Sequence, residues 1–349
     1  MVFYNLKPKD FRLLAEITQL PSVSGNEYPL DDELLAFGKL NPRDVKQDRI
    51  GNIVVKMDSE HWDLHKPTVL VSAHKDKIGF MVQELMDDGT VRLAPVGGII
   101  QAKSQQPILL YRGSDVRLQG TLEIEIDVTR VGRSLVAYYG KFGFSNRMEL
   151  EKKVMVGDPV AIKGNFHGSP DEPDIVSSYL DDSIGVFIGL KLVELFVGKV
   201  PAGINLALAF STQEEVGLRG IRSVLRALTP SLLIVTDVVN VTKTLMKGQG
   251  PALVMLDPGI VLPTELRQQL VDLAKETNVP LQIEVYPEGG TSDWEISVTE
   301  GFLTIPLGLP VEHIHTPQEC VSRKDLEYLL NFVGLLIKRA EELIIERPG

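Results

Sequence analysis

The residues best suited to chemistry in this chain are histidines and carboxylates placed next to apolar segments. They are His74 after residues 67–73, Glu214 and Glu215 after residues 204–211, and Asp237 after residues 232–236. In open α/β sheets, functional groups gather outside the carboxyl ends of the strands, so these distant side chains are expected to converge. Asp181, in the pair Asp181-Asp182 at the entry to a predicted helix, and His315, after a further predicted strand, can join them.

Together these groups make a set of two imidazoles and three carboxylates, one of them from the Glu214-Glu215 pair. Mixed nitrogen and oxygen ligands suit zinc, cobalt or manganese. The sequence therefore predicts a divalent metal site. The pattern alone does not decide whether His315 or His313 is the second histidine ligand, because the two lie only two residues apart.

Residues next to the expected ligands are predicted to support such a site. In His74-Lys75-Asp76 an extended backbone puts His74 and Asp76 on the same side, so the Asp76 carboxylate is expected to accept the second imidazole N–H. In the adjacent pair Glu214-Glu215 the side chains point in different directions, which lets one bind metal while its neighbour faces the water.

The elements that must position these residues follow an alternating pattern of helices and apolar strands, which favours a layered α/β core. Helices are predicted over 11–20, 184–196, 264–276 and 322–345, and strands over 48–56, 67–73, 204–211, 232–236, 282–286 and 302–307. Ser322 is the expected N-cap of the last helix, with Asp325 in the capping-box position.

Between residues 79 and 162 the pattern changes to short alternating segments separated by glycines, such as 122–128. This change predicts a small inserted β-barrel-like domain. The expected organisation is a catalytic domain in two parts, residues 1–78 and 163–349, with the insertion at 79–162 between them.

Composition excludes several classes of function. The 349-residue chain has a formal net charge of −11, which argues against binding to nucleic acid backbones. No apolar run is long enough to span a bilayer, and the start lacks the apolar stretch of a signal peptide, so a cytoplasmic protein is expected. Cys320 is the only cysteine and is interpreted as a lone, partly buried thiol.

Nine segments distributed along the chain resemble a known family of dinuclear metallo-aminopeptidases. The family includes the tetrahedral (TET) aminopeptidases, glutamyl aminopeptidases and proteins formerly described as cellulase M. The matching segments are Pro21-Ser-Val-Ser-Gly-Asn-Glu27, Asp48-Arg-Ile-Gly-Asn52, Ala73-His-Lys-Asp-Lys-Ile-Gly79, Leu180-Asp-Asp-Ser-Ile-Gly185, Gln213-Glu-Glu-Val-Gly-Leu-Arg-Gly220, Thr236-Asp237, Lys247-Gly-Gln-Gly-Pro251, Gly289-Gly-Thr-Ser-Asp293 and Ile314-His-Thr-Pro317.

The resemblance implies a role for each site residue. His74 and Asp237 would bind one metal ion, Glu215 and His315 the other, and Asp181 would bridge the two. The general base that deprotonates a metal-bridging water would be Glu214, and Asp76 would orient His74.

The resemblance also implies the ligands and partners of the protein. The two divalent ions would be zinc, or else cobalt or manganese, and the substrates would be peptides cleaved at the N-terminal residue. The inserted segment would be a dimerisation domain, with dimers able to build a homo-oligomeric tetrahedral dodecamer.

Lysines replace two residues beside the expected ligand His74. The family usually has Met and Glu where this chain has Lys75 and Lys77, and it usually has Arg at Ser183 and Arg-Tyr at Glu312-His313. Positive charges beside a pair of divalent ions are expected to weaken metal binding or to favour an acidic substrate group. The alternative is that both ammonium groups extend to solvent.

Two other functions remain as alternatives to the peptidase. A glycoside hydrolase needs two facing carboxyls but neither the histidines nor a metal. An assembly protein of the same fold would have lost effective metal binding through Lys75 and Lys77.

Overall fold

The computed structural model describes residues 4–40, 44–99, 104–128, 134–288 and 290–344. The strands are β1 Asp44–Gln47, β2 Ile53–Lys56, β3 Thr68–His74, β4 Gly79–Leu85, β5 Thr90–Val96, β6 Gln106–Arg112, β7 Asp115–Val128, β8 Ser134–Lys141, β9 Pro159–Ile162, β10 Asp174–Ser177, β11 Asn205–Ser211, β12 Leu232–Asn240, β13 Ala252–Leu256, β14 Gln282–Val285, β15 Thr304–Glu312 and β16 Glu319–Ser322. The helices are α1 Pro8–Gln19, α2 Tyr28–Leu40, α3 Arg147–Leu150, α4 Leu180–Phe196, α5 Gly220–Leu228, α6 Thr264–Glu276, α7 Asp293–Thr299, α8 Arg323–Lys338 and α9 Ala340–Leu343. Within these ranges no helix combines the length and apolarity needed to cross a membrane.

Ten strands form one mixed sheet, in the order β1-β2-β11-β3-β12-β15-β13-β14, with β16 and β10 joined beside β15. The four central strands β11, β3, β12 and β15 run parallel. β3 and β11 are buried along their whole length, as expected for strands covered on both faces. The parallel arrangement brings the carboxyl ends of these strands to one edge, where the polar residues lie.

Helix α4 crosses the middle of the core, and its amino-acid composition accounts for this position. Its residues from Leu180 to Val193 are buried, and between Ile184 and Val193 only Lys191 is charged, which is the pattern of a central rather than a surface helix. It packs against β3, β12, α1 and α8. Its first turn is therefore held rigidly beneath the carboxyl ends of the strands.

A second, smaller unit is a closed barrel of six strands in the order β4-β5-β8-β7-β6-β9. Its interior is filled by apolar side chains such as Phe80, Ile108, Leu110 and Val160, each fully buried. Barrel closure leaves no sheet edge to be paired. The predicted fold class, a layered α/β core with an inserted β-barrel-like unit, is confirmed.

Three strand predictions are wrong in detail. The strand predicted over 302–307 is β15, which begins at Thr304 and continues to Glu312. Residues 48–56 are not one strand, because a turn interrupts them. The Asp48 carboxylate accepts hydrogen bonds from the amides of Ile50, Gly51 and Asn52, and β2 begins only at Ile53. The strand predicted over 232–236 continues to Asn240, so Asp237 lies within β12 rather than after it.

The final helix also differs from the prediction. It consists of α8 and α9, with a break at Arg339, and residue 345 lies outside the described residues. Ser322 is the N-cap as expected, because its side chain accepts a hydrogen bond from the Asp325 amide. The capping box is wrong, since the Asp325 carboxylate instead accepts from the amides of Gly248 and Gly250.

Candidate metal centre

The predicted site residues come from five separate segments that meet at the carboxyl edge of the parallel strands. His74 is the last residue of β3, Asp237 lies in β12, and the pair Glu214-Glu215 lies in the loop after β11. Asp181 enters from the start of α4 and His315 from the loop between β15 and β16. These six residues line one cavity of about 330 Å³, whereas Asp76 does not line it.

His74, Asp181 and Asp237 form the first group of potential ligands, with one donor atom from each lying within 4.8 Å of the others. His74 Nε2 is 3.0 Å from Asp181 Oδ1 and 3.6 Å from Asp237 Oδ1. All three are buried, so the groups are held in place by packing as well as by their hydrogen bonds.

Asp181, Glu215 and His315 form the second group by the same criterion. His315 Nε2 lies 3.2 Å from Asp181 Oδ2 and 3.4 Å from Glu215 Oε2. The two oxygens of Asp181 thus face different imidazoles, Oδ1 towards His74 and Oδ2 towards His315. One carboxylate is shared between the two groups, which is the arrangement of a bridging ligand.

The Asp181-Asp182 pair serves two local purposes. The backbone of both residues departs from helical geometry, with ψ of 112° at Asp181 and 46° at Asp182. Asp182 then caps the regular helix, because its Oδ1 accepts a hydrogen bond from the Gly185 amide at 2.9 Å. This turn leaves the Asp181 side chain free to face the strands.

Asp76 supports this site mainly through contacts with the loop that carries Glu214 and Glu215, which the sequence does not indicate. His74 Nδ1 is 3.0 Å from the backbone carbonyl of Asp76, whereas the nearer carboxylate oxygen lies 3.8 Å away. The carboxylate accepts instead from the amides of Glu214 and Glu215, at 2.9 and 3.2 Å, and from the Ser24 hydroxyl. Asp76 therefore holds the loop that carries the two glutamates.

Glu319 is a positioning residue that sequence reasoning missed. Its Oε2 accepts from the Asp181 amide at 3.0 Å, and its Oε1 accepts from the His315 amide at 2.8 Å. It is buried in β16. The only sign of this role in the sequence is that Glu319 lies four residues after His315, just beyond the segment Ile314-His-Thr-Pro317.

The electrostatics of the cavity are those of crowded buried anions. Burial and the charge of Asp181 raise the pKa of Glu215 to about 7, and burial is also the main cause of the raised pKa of Glu214. Burial lowers the pKa of His315, but its contacts with Asp181 and Glu215 outweigh this and raise the value to about 12. Positive charge is therefore strongly favoured at this position.

The residues present fit a divalent cation. Three carboxylates and two imidazoles offer the oxygen and nitrogen donors that zinc, cobalt and manganese accept. Glu215 Oε1 is buried without a hydrogen-bond partner, and a buried carboxylate oxygen in that state is costly unless a cation neutralises it. No lysine or arginine among the described residues lines the cavity to do so.

Lys75 and Lys77 do not reach this cavity, and the expectation that they extend to solvent is wrong. Each is 1% exposed. Lys75 Nζ lies 2.6 Å from Asp31 Oδ1, and Lys77 Nζ donates to the carbonyls of Ile17 and Leu20 near the end of α1. The Lys75 ammonium is matched by the Asp31 carboxylate, whereas the Lys77 ammonium is held by backbone carbonyl oxygens, and burial lowers its pKa to about 7.

The remaining histidines lie elsewhere. His313 and His167 line a different cavity, beside the barrel strands, and His61 and His65 are exposed near the loop before β3. Cys320, interpreted as a lone thiol, is buried with its sulfur 3.0 Å from Lys247 Nζ. Of the two candidates at this point in the sequence, His315 is the histidine near Asp181.

Comparison with known proteins assigns the chain to a family. The family model described as M42 glutamyl aminopeptidase matches residues 51–332. A lysyl aminopeptidase of Pyrococcus furiosus is 27% identical over 361 residues, covering 96% of this chain and 98% of that protein.

Solved structures agree in fold. Aminopeptidase APDkam598 from Desulfurococcus kamchatkensis has a TM-score of 0.86 and 25% identity, covering 98% of both chains. The TET1 peptidase of Pyrococcus horikoshii has a TM-score of 0.81 and 22% identity over 94% of this chain and 99% of that one, a likeness of fold alone.

The protein is thus a hydrolase of the peptidase class. The chain belongs to the M42 glutamyl aminopeptidase family. The family resemblance inferred from the sequence is confirmed.

Proposed function

We propose that this protein is a metal-dependent aminopeptidase that releases N-terminal residues from peptides. The observation that carries the proposal is the pair of ligand groups that share Asp181, His74-Asp181-Asp237 and Asp181-Glu215-His315. Membership of a peptidase family supports the reaction class. In this assignment His74 and Asp237 hold one ion, Glu215 and His315 hold the other, and Asp181 bridges them.

The protein's own residues then have distinct tasks. Two bound divalent ions would supply a water of lowered pKa and polarise the scissile carbonyl. Glu214 is the general base, because it lines the same cavity with an oxygen 3.9 Å from His74 Nε2 and is not needed in either ligand group. It accepts the proton of the attacking water and returns it to the leaving amine. Asp76 positions Glu214 through the amide contact described above.

Zinc is the proposed metal, with cobalt or manganese accepted, because two imidazoles with three carboxylates suit borderline cations. The proposed location is the cytoplasm.

The barrel lies between two stretches of chain that together build the sheet, which supports a catalytic domain at 1–78 and 163–349 with an insertion at 79–162. We propose that this insertion mediates dimerisation. The similar TET1 peptidase of Pyrococcus horikoshii assembles into a tetrahedron or a large octahedral shell, which supports a homo-oligomer here, with a tetrahedral dodecamer as the proposed end state.

Replacement of Glu214 by Gln tests the base assignment. The metal-loaded variant is expected to lose at least about 100-fold in kcat on aminoacyl p-nitroanilides, because an amide does not accept the proton. Its metal content by mass spectrometry should equal that of the wild type. Glu276→Gln, an exposed carboxylate at the end of α6, is the matched control. Retained turnover in Glu214→Gln would refute the assignment.

The same assay separates the two alternatives retained from the sequence. Turnover that is lost on chelation and restored by zinc, cobalt or manganese supports the peptidase. Metal-independent cleavage of a cellulose oligosaccharide would instead indicate a glycoside hydrolase. Absence of any turnover by the fully metal-loaded protein would indicate an assembly protein.

A further inference from the structure

The cavity that contains the metal-ligand groups extends to an acidic wall on the other side. This wall consists of Asp257 directly after β13, Glu284 in β14 and Glu288 in the following loop. β13 and β14 pair in parallel, which sets Glu284 beside Val254. The wall belongs to neither ligand group and carries no role in the proposed reaction.

Glu284 is the wall residue whose carboxylate is buried and incompletely hydrogen-bonded. The residue is only 7% exposed, and its Oε2 is buried without a hydrogen-bond partner. Burial, and then the charge of Asp257, raise the pKa of Glu284 to about 7. A buried carboxylate in this state is stabilised by a cation that brings its own hydrogen-bond donors.

Asp257 is in contrast fully engaged by the protein. Its Oδ1 accepts from the amides of Gly259 and Ile260, at 2.7 and 2.9 Å, and its Oδ2 accepts from the Trp294 indole N–H at 2.5 Å. Asp257 thus adds negative charge and fixes the Trp294 ring. Glu288 is exposed at the rim of the cavity.

The rest of the lining suits a hydrocarbon chain that ends in a cation. Trp294 and Tyr286 present aromatic surface, and Val254 adds an aliphatic side chain. Aromatic faces accept both methylene groups and the cationic head of lysine or arginine. None of the described residues in the lining is a lysine or arginine, and the charge that acts most on Glu284 is the like charge of Asp257.

We propose that this wall is the subsite for the substrate's N-terminal side chain and that Glu284 selects lysine and arginine there. The inference rests on the proposed aminopeptidase function and adds its side-chain preference. An N-terminal glutamate would be repelled by the same carboxylates, and an aliphatic residue would leave Glu284 unpaired.

Two other roles for Glu284 make different predictions. A carboxyl that is simply protonated and buried would not distinguish lysine from an uncharged side chain of the same length. A carboxylate that binds the substrate's α-amino group would affect all substrates equally. Only a side-chain subsite makes the effect of Glu284 depend on the side-chain ammonium.

The matched substrates are the lysyl and norleucyl p-nitroanilides, because norleucine has the four-carbon chain of lysine without the ammonium. The metal-loaded wild type is expected to show the higher kcat/KM on the lysyl substrate. Glu284→Gln should lower the lysyl-to-norleucyl ratio by about 10- to 150-fold, the effect of losing a hydrogen bond to a charged group. Glu276→Gln should leave the ratio unchanged.

Binding of free L-lysine and L-norleucine to the metal-loaded protein, measured by calorimetry, gives a readout that needs no turnover. Tighter binding of lysine, reduced in Glu284→Gln with unchanged circular dichroism, supports the subsite. Equal binding of the two amino acids, a norleucyl or glutamyl preference, or an equal loss on both substrates in Glu284→Gln would overturn it. If lysine binds preferentially but no aminoacyl substrate is cleaved, the subsite stands and the proposed reaction fails.

Discussion

Replacement of Lys75 by Met, the residue usual in the family, is predicted to destabilise this protein strongly. The side chain of Lys75 is fully buried and that of Asp31 is 8% exposed, with 2.6 Å between Nζ and Oδ1. The pair lies within ion-pair distance but without hydrogen-bond geometry, since neither atom has a hydrogen-bond partner. Removal of the lysine leaves the Asp31 charge buried, with Gln47 as its remaining polar contact.

The magnitude follows from the burial and the distance. At 2.6 Å the attraction is about 6 kcal/mol for an effective dielectric constant of about 20. Desolvation of both ions offsets much of this in the intact pair. Loss of one partner alone nevertheless costs about 3–5 kcal/mol, because the other charge remains uncompensated. The double variant Lys75→Met/Asp31→Asn is expected to regain most of the loss.

The assay is the free energy of unfolding from urea titrations of the wild type, both single variants and the double variant. Lys46→Met is the control, because Lys46 makes a comparable 3.1 Å pair with Asp44 but is 75% exposed, so its loss should cost less than about 1 kcal/mol. A cost below about 1 kcal/mol for Lys75→Met, or no coupling between Lys75 and Asp31 in the double-mutant cycle, would refute the reasoning. Metal content should be unchanged, since Lys75 faces away from the cavity.

Three further predictions concern the site itself. His315→Ala should bind one divalent ion fewer per chain by mass spectrometry, whereas His313→Ala, which alters the other cavity, should bind as many as the wild type. Glu319→Ala should weaken metal affinity by about 10- to 100-fold in chelator competition, because it frees the backbones of both Asp181 and His315; unchanged affinity would contradict a positioning role. The pKa of Glu284 is raised in the fold, so the folded state keeps a proton that the unfolded chain loses and stability falls as the pH rises from about 4.5 to about 7. Glu284→Gln should remove that part of the slope in urea titrations at several pH values, and an identical slope in the variant would contradict the shift.

The sequence predicted the class of fold because its signals are periodic. Continuous apolar runs such as β3 and β11 occur only where both faces are covered, and the alternation of β7 is typical of a barrel strand. Local exceptions were harder to see. Asp237 is predicted to follow the strand 232–236, yet Val238 and Val239 continue β12 beyond it.

Contacts between distant residues account for most of what the sequence did not show. Nothing near Lys75 indicates that its partner is Asp31, and nothing near Asp76 indicates that its carboxylate accepts from the amides of Glu214 and Glu215. The choice of His315 over His313 came from family resemblance, and only the three-dimensional arrangement shows which of the two lies beside Asp181. Glu284 was missed because lack of a partner is invisible in a sequence.

The shared position of Asp181 has a consequence for folding. Its two carboxylate oxygens face His74, at the end of β3, and His315, in the loop after β15, so two ions that share Asp181 would together link segments far apart in the sequence. A chain that ends before His315 lacks a ligand of the second group, although all three residues of the first group are present. Binding of the second ion should therefore mark the completed fold, and the pair of ions would stabilise that fold over incomplete states of the chain.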